Sequence, residues 1–399
     1  MERTTKGDAG PLRTESRPAQ LRSLTGMRFF AAFMVFAFHT AFIGMYPGVQ
    51  ETMNKVLWQA GFLGVGFFFL LSGFVLAWSS RPSDTTRAFW RRRAFKIFPN
   101  HLTTFIAAAL LLALVDGMVL NGRDAVLNIF LLQSWAPDMN IRGNYNGVAW
   151  SLSCELLFYL SFPLVMRWIT KIRPQRLWTW VGGLVVVIFT IPFLTKLFPS
   201  APLMTFSDVT DLEMWSIYQA PLPRMLDFTV GILLARIVLT GQRLPLGRAG
   251  AAVLVAVAYG ASQFVPHTFG LVALMVVPLG LLIAATAKAD AEGKKSWLGS
   301  KPMVWLGDVS FAFYMWHSLL LWYGYMTVFG PAETLGGALA EMAAIFAVTL
   351  FVAWLQYSLV EHPIMRRFSV SKRDKEKKAK ELAATVIPIK PSDDDRAAA

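Results

Sequence analysis

LTGMRFFAAFMVFAFHT (residues 24–40) opens an apolar run that reaches Ile43 and is broken by only two charged or titratable groups, Arg28 and His39. A membrane-crossing helix needs about 20 mostly apolar residues, and this run supplies them. Nine further segments do the same, which gives ten expected spans at 24–43, 57–79, 101–120, 148–168, 177–198, 222–240, 249–266, 269–287, 304–329 and 336–359. An eleventh stretch, Ala125 to Trp135, is apolar but too short to cross. It is expected as a short re-entrant or interfacial helix, tolerable at depth only where protein surrounds it. The 399-residue chain is 55% hydrophobic and 16% charged, where soluble domains carry roughly a quarter charged residues. The expected fold is an all-α, polytopic membrane bundle.

The basic residues orient that bundle. With the N-terminus in the cytoplasm, 32 of the 38 Lys and Arg fall on the inner side, against Lys55, Arg123, Arg142, Lys196 and Arg224 outside. This is the positive-inside pattern. Counting 125–135 as a full span would put KIRPQR (171–176) outside and invert every later loop. Both termini are therefore expected in the cytoplasm, with the chain multi-pass in the plasma membrane. Residues 1–23 read as a polar N-terminal segment without a signal-peptide cleavage pattern, 24–363 as the membrane domain, and 364–399 as a charged, disordered tail. The net charge of +13 does not indicate nucleic acid, because the cations are interleaved with membrane-length apolar runs. Cys154 is the only cysteine, which excludes an internal disulfide and a multi-cysteine zinc site. Five histidines leave little for a metal cluster, and none is expected. There is no internal repeat, Walker loop, GxGxxG or EF-hand pattern.

Ionisable groups inside spans are costly and point to function. Arg28 and His39 lie eleven residues apart, so their side chains project about 20° apart on one helix face, roughly 16 Å along the axis. In VAWSLSCELLFY (148–159), Trp150, Ser151, Ser153 and Glu155 cluster within two turns. Glu155 enters an apolar helix and needs a partner or a proton. The adjacent Cys154 points off the Glu155 face and reads as a small buried hydrophobe. In GDVSFAFYMWHSLL (307–320), Ser310, Tyr314 and His317 form one stripe expected to line a cavity, though inter-helix hydrogen bonding accounts for them almost as well. Asp227 and Asp308 are further intramembrane acids without an assigned role. TTRAFWRRRAFKIFPNH (85–101) is a dense cationic loop. Arg93 and Lys96, just before a span start where a helix N-terminus favours anions, suit a phosphate-rich ligand.

Together these motifs resemble the acyltransferase-3 family of integral-membrane O-acyltransferases, which modify bacterial polysaccharides, other glycans and some macrolide antibiotics. The resemblance runs from Leu24 to Pro363. The family's Arg-x10-His is matched by Arg28 and His39, its second-span phrase by FFFLLSGFVLAW (67–78), and its Trp-Ser-Leu with Glu by Trp150, Ser151, Leu152 and Glu155. Its Arg-x-x-Arg before Ile-x-Pro corresponds to Arg93 and Lys96 before Ile97-Phe98-Pro99. There the lysine keeps the charge but loses the bidentate fork. The penultimate-span pattern is met by Ser310, Tyr314 and His317, and the closing Glu-x-Pro by Glu361 and Pro363. The fused soluble domain of some members is absent from this sequence, so a stand-alone form is expected.

The resemblance implies transfer of a short acyl group from acyl-CoA to a hydroxyl of a sugar, cell-surface glycan or macrolide-type product, with no permanently bound cofactor. Arg28, Arg93 and Lys96 would hold the coenzyme A phosphates. His39 would act as general base, with Glu155 orienting it as a carboxylate orients the base of a Ser-His-Asp triad. Trp150, Ser153, Ser310, Tyr314 and His317 would line the cavity, and attack would be direct, without an acyl-enzyme. The competing reading is a multi-pass transporter or export partner for a glycan or lipid, which would also line a mid-membrane cavity with Arg, His and Glu but usually shows matched repeats.

Overall fold

The computed structural model describes residues 20–80, 84–199, 203–204 and 208–368. The polar N-terminal segment up to residue 19 and the tail from residue 369 lie outside the described residues. Fifteen α-helices, with shorter 3₁₀ and π segments between them, occur among the described residues, and no named strand does. They are α1 (Arg22–Ile43), α2 (Gln50–Ser79), α3 (Thr86–Leu114), α4 (Gly122–Ile129), α5 (Met139–Arg142), α6 (Trp150–Ile169), α7 (Leu177–Leu194) and α8 (Asp211–Met214). They continue as α9 (Pro221–Leu239), α10 (Arg248–Ala261), α11 (His267–Gly270), α12 (Ala273–Ala291), α13 (Lys301–Tyr323), α14 (Leu335–Gln356) and α15 (His362–Phe368).

Seven helical stretches among the described residues are long and apolar enough to cross a membrane, beginning with α1, α2, α3, α6, α7, α11–α12 and α14. The other three expected spans are helical too, and each departs for a physical reason. Helix α9 carries Arg224, Asp227 and Arg236 within its 19 residues. Helix α10 has only 14 residues, about 21 Å at 1.5 Å each against a ~30 Å hydrocarbon core. Helix α13 has the length, 23 residues, but is diluted by Asp308, Ser310 and His317.

The expected cationic loop is a helix. Helix α3 begins at Thr86, capped by the Thr85 side chain accepting from the Ala88 N–H, and runs through Pro99 without a break. Arg93 and Lys96 therefore sit two to three turns inside a helix and not at its N-terminus.

Helices α1, α2, α9 and α13 form the centre, and small residues set their spacing. A Cβ on Gly73 would lie 1.9 Å from the Phe228 carbonyl oxygen, and one on Gly231 2.0 Å from that of Leu70. The α2 and α9 backbones thus touch reciprocally, as small-residue seams allow in membranes. Outside this centre, Val186 of α7 and Val253 and Val257 of α10 are more than half exposed, which is how an apolar surface facing lipid reads.

The 125–135 stretch forms no helix of membrane-crossing length. It forms α4, turns at Leu131 with φ +57°, and ends in a short tight helix at Gln133–Trp135. Its backbone is satisfied by protein: Ser153 Oγ donates to the Leu131 carbonyl at 2.5 Å and Trp215 Nε1 to that of Ser134 at 2.9 Å. Gln133 and Ser134 donate in turn to the Ala149 and Trp150 carbonyls.

Candidate active site

The Arg28–His39 face of α1 looks onto two chambers rather than one groove. Toward the C-terminal end of α1 lies a cavity of about 480 Å³, walled by His39, Trp58, Phe62, Trp150, Tyr218, Trp322 and the segments that join α3 to α6. Toward its N-terminal end lies a chamber of about 60 Å³ lined by Arg28, Lys96, Glu155, Tyr159 and Phe311. Val65 and Tyr314 line both and form the partition.

His39 is fixed by two contacts. Its Nδ1 lies 2.8 Å from the Val35 carbonyl and 3.2 Å from His317 Nε2, while His317 Nδ1 lies 2.6 Å from the Tyr314 carbonyl. Carbonyl oxygens only accept, so each Nδ1 carries the hydrogen. His317 Nε2 is then the acceptor for His39 Nδ1–H, and His39 Nε2 keeps its lone pair. Tyr314 joins α13 to the start of α6 through Ser151 Oγ (2.9 Å) and the Val148 carbonyl (3.2 Å).

Glu155 and His39 line different chambers. Glu155 accepts from Tyr159 Oη at 3.1 Å and lies in the field of Arg28, Arg93 and Lys96. The orienting partners of His39 are Val35 and His317, so the expected triad-like contact with Glu155 is not formed. Lys96 is ion-paired with Glu361 from the far end of the chain. Asn100 Nδ2 donates to the same carboxylate at 2.5 Å, and Gln356 steadies Asn100. Arg93 lines neither chamber; its guanidinium lies over the Phe89 and Tyr159 rings, 5.8 and 5.7 Å from their centroids.

Among the expected lining residues, Trp150 faces the larger cavity and Tyr314 faces both. Ser153 is turned onto Leu131, Ser310 Oγ bonds the Gly307 carbonyl one turn back, and His317 stands behind His39. All three are buried and line neither chamber. Cys154 is fully buried, with its thiol on the Gln219 carbonyl at 3.4 Å.

Two arginines counted as outer-loop charges are buried. Arg224 is 0% exposed and pairs with Asp227 at 2.6 Å on the same helix, its guanidinium over Phe69 and Tyr218. Arg142 donates to Gln219 Oε1 at 2.8 Å and to the Ala136 carbonyl at 3.2 Å, and is ion-paired with Asp211. It thereby pins α5 to the α8 connection over the cavity. Burial pulls the Arg142 pKa below its ordinary value and Asp211 pulls it back. The cavity wall also includes Tyr145, held at φ +57° with its hydroxyl donating to the Asn121 carbonyl. Only the i,i+3 spacing of Arg224 and Asp227 was visible as a sequence signal for any of these.

The acyltransferase-domain family model matches residues 21–357. Acyltransferase MdmB of Streptomyces mycarofaciens is 40% identical over 88% of this chain and 93% of its own length. The peptidoglycan O-acetyltransferase OatA of Listeria monocytogenes is 24% identical over 86% of this chain and 56% of its own. The exopolysaccharide production protein ExoZ of Rhizobium meliloti is 26% identical over 77% and 90%. No solved structure matches.

Proposed function

Because the chain belongs to the acyltransferase-3 family and is a membrane O-acyltransferase, we propose that it moves a short acyl group from acyl-CoA to a hydroxyl of a sugar, glycan or macrolide-type product bound in the larger cavity. The carrying observation is His39, which lines that cavity with no hydrogen bond to Nε2 among the described residues while Val35 and His317 hold Nδ1. His39 Nε2 takes the proton of the acceptor hydroxyl as its oxygen attacks the thioester carbonyl. The tetrahedral adduct collapses, the C–S bond breaks, and the imidazolium returns the proton to the thiolate, leaving an ester and free coenzyme A. His317 Nε2 accepts from His39 Nδ1–H throughout and steadies the cation, the task a carboxylate performs in other bases.

Arg28, Lys96 and, from behind Tyr159, Arg93 form the donor end. The thioester passes from their chamber toward the Val65–Tyr314 partition, and Glu155 balances their charge. A volume near 480 Å³ falls within the ~300–1,000 Å³ of small-molecule pockets, which favours one sugar unit or one discrete molecule in the cavity. The charge asymmetry supports ten spans, cytoplasmic termini and the plasma membrane, with the donor end inside.

His39→Gln tests this reading. Its amide keeps hydrogen bonding but takes no proton at neutral pH, so kcat per folded molecule in purified, detergent-solubilised protein should fall by at least ~10²-fold with acyl-CoA binding retained. A variant that keeps most of its activity removes His39 as the base. A wild-type protein that transports but transfers no acyl group favours the transporter reading.

A further inference from the structure

Tyr218 brings to the larger cavity a hydroxyl that no described residue engages. The residue is 6% exposed and lines that cavity. Its hydroxyl has no hydrogen-bond partner among the described residues and is not sealed off by protein, so it opens onto the cavity. A hydroxyl this deep without a partner costs free energy, which a ligand atom would offset. The backbone around it is pinned on both sides. Residues Trp215–Gln219 form a single π turn. Trp215 Nε1 donates to the Ser134 carbonyl at 2.9 Å, and Gln219 Oε1 accepts from Arg142 at 2.8 Å. The ring is held as well, with the Phe62 and Trp150 rings each 4.8 Å away between centroids. Behind it, the Arg224 guanidinium lies 5.3 Å from the Tyr218 centroid and 4.9 Å from that of Phe69. Phe69 lines the smaller chamber, and its ring also meets Trp150. Arg224 and Trp150 thus touch one wall of each space, and Tyr218 stands at the partition between them.

We propose that Tyr218 Oη donates its hydrogen bond to the thioester carbonyl oxygen and holds it more tightly as attack turns that oxygen into an oxyanion. This deepens the acyl-transfer reading and rests on it, because the thioester must reach the partition. There His39 of α1 and Tyr218 ahead of α9 line one space. His39 handles the proton of the nucleophile, and Tyr218 the charge left on the carbonyl. A phenol ordinarily titrates at about 10, and burial pushes Tyr218 further up, so it stays a donor at neutral pH. A donor already fixed in place needs no reorganisation when the charge develops, and losing one such donor lowers kcat by ~10²–10³-fold.

The test uses acetyl-CoA and hydroxylamine with the full-length protein in detergent. Hydroxylamine is a nucleophile that needs no general base. Its nitrogen attacks the carbonyl carbon, the C–S bond breaks, and a proton from that nitrogen passes to the thiolate, giving acetohydroxamate and coenzyme A. Enzyme-dependent hydroxamate formation therefore reads the oxyanion donor apart from the base. Tyr218→Phe keeps the ring and its packing. It should lower kcat for hydroxamate about 100-fold, the lower end for one lost donor, with the acetyl-CoA KM nearly unchanged. Replacing Tyr218 by 3-fluorotyrosine, whose more acidic hydroxyl is the stronger donor, should raise kcat above the wild-type value.

No enzyme-dependent hydroxamate from wild type, an unchanged kcat in Tyr218→Phe, or a raised KM with kcat intact overturns the proposal. The fluorotyrosine protein keeps both ring and hydroxyl, so misfolding of Tyr218→Phe does not protect it: a fluorotyrosine protein no faster than wild type overturns it too. Full transfer to a hydroxyl by His39→Gln, alongside the loss in Tyr218→Phe, would sink His39 as the base and leave Tyr218 standing.

Discussion

The chamber around Glu155 and the cavity around His39 share Val65 and Tyr314 and differ in almost everything else. The first is small, and its charges are neutralised by protein: Lys96 by Glu361, with Glu155 among Arg28, Arg93 and Lys96. The second has eight times the volume, is aromatic, and is built mainly from helix ends and connecting segments. A chamber that compensates its own charges is preorganised, as a site for one invariant ligand portion should be. A wide aromatic cavity on connecting segments is where acceptor identity can vary without disturbing the helices. On this account one end reads the donor and the other the acceptor.

The largest expected effect breaks the donor side. Lys96→Ala leaves Glu361, 2% exposed, without its cation. Losing one partner of such a pair costs ~3 kcal/mol, so thermal unfolding should show a markedly lowered Tm. Lys96→Ala combined with Glu361→Gln should regain much of it. An unchanged Tm in the single variant would mean that the pair does not hold α3 to the chain's closing turn.

A smaller effect sharpens the partition. His317→Ala removes the acceptor for His39 Nδ1–H and should lower kcat about 10-fold, the scale of a lost orienting contact, with both KM values nearly unchanged. His317→Gln, whose Oε1 still accepts, should restore most of that loss. Equal defects in the two variants would point to a packing role instead. Smaller again, Arg142→Met frees α5 from the α8 connection. It should raise the acceptor KM about fivefold, as loss of about 1 kcal/mol of preorganisation would, and leave the acyl-CoA KM alone.

How much of this was legible in the sequence follows the same division. Residues 24–40 announced a membrane helix with Arg28 and His39 on one face, and WSLSCE announced a carboxylate inside a helix; both features are local and periodic. The contact of His39 with His317, 278 positions away, has no local signature, so orientation of His39 was assigned to Glu155, the carboxylate that WSLSCE places inside a helix. Arg142 and Arg224 were counted only as outer-side charges, because topology rules place a cation by its position relative to a span and not by its partners. The Arg142 partner lies 69 positions on, beyond any helical spacing. The left-handed turn at Tyr145, on a residue that rarely adopts it, is imposed by the fold around it. The 125–135 segment was legible as too short for a spanning helix because its length is local, whereas the side chains that satisfy its backbone come from α6 and from Trp215.

The division into donor chamber and acceptor cavity is tested most directly by one crossed kinetic experiment. Acyl-CoA and acceptor KM are measured under identical conditions for Arg28→Ala and Trp322→Ala. The account predicts that Arg28→Ala raises only the acyl-CoA KM, about 10-fold for a lost phosphate contact, and that Trp322→Ala raises only the acceptor KM. If both variants weaken the same substrate, or each weakens both equally, the two chambers do not divide the labour and the account is contradicted.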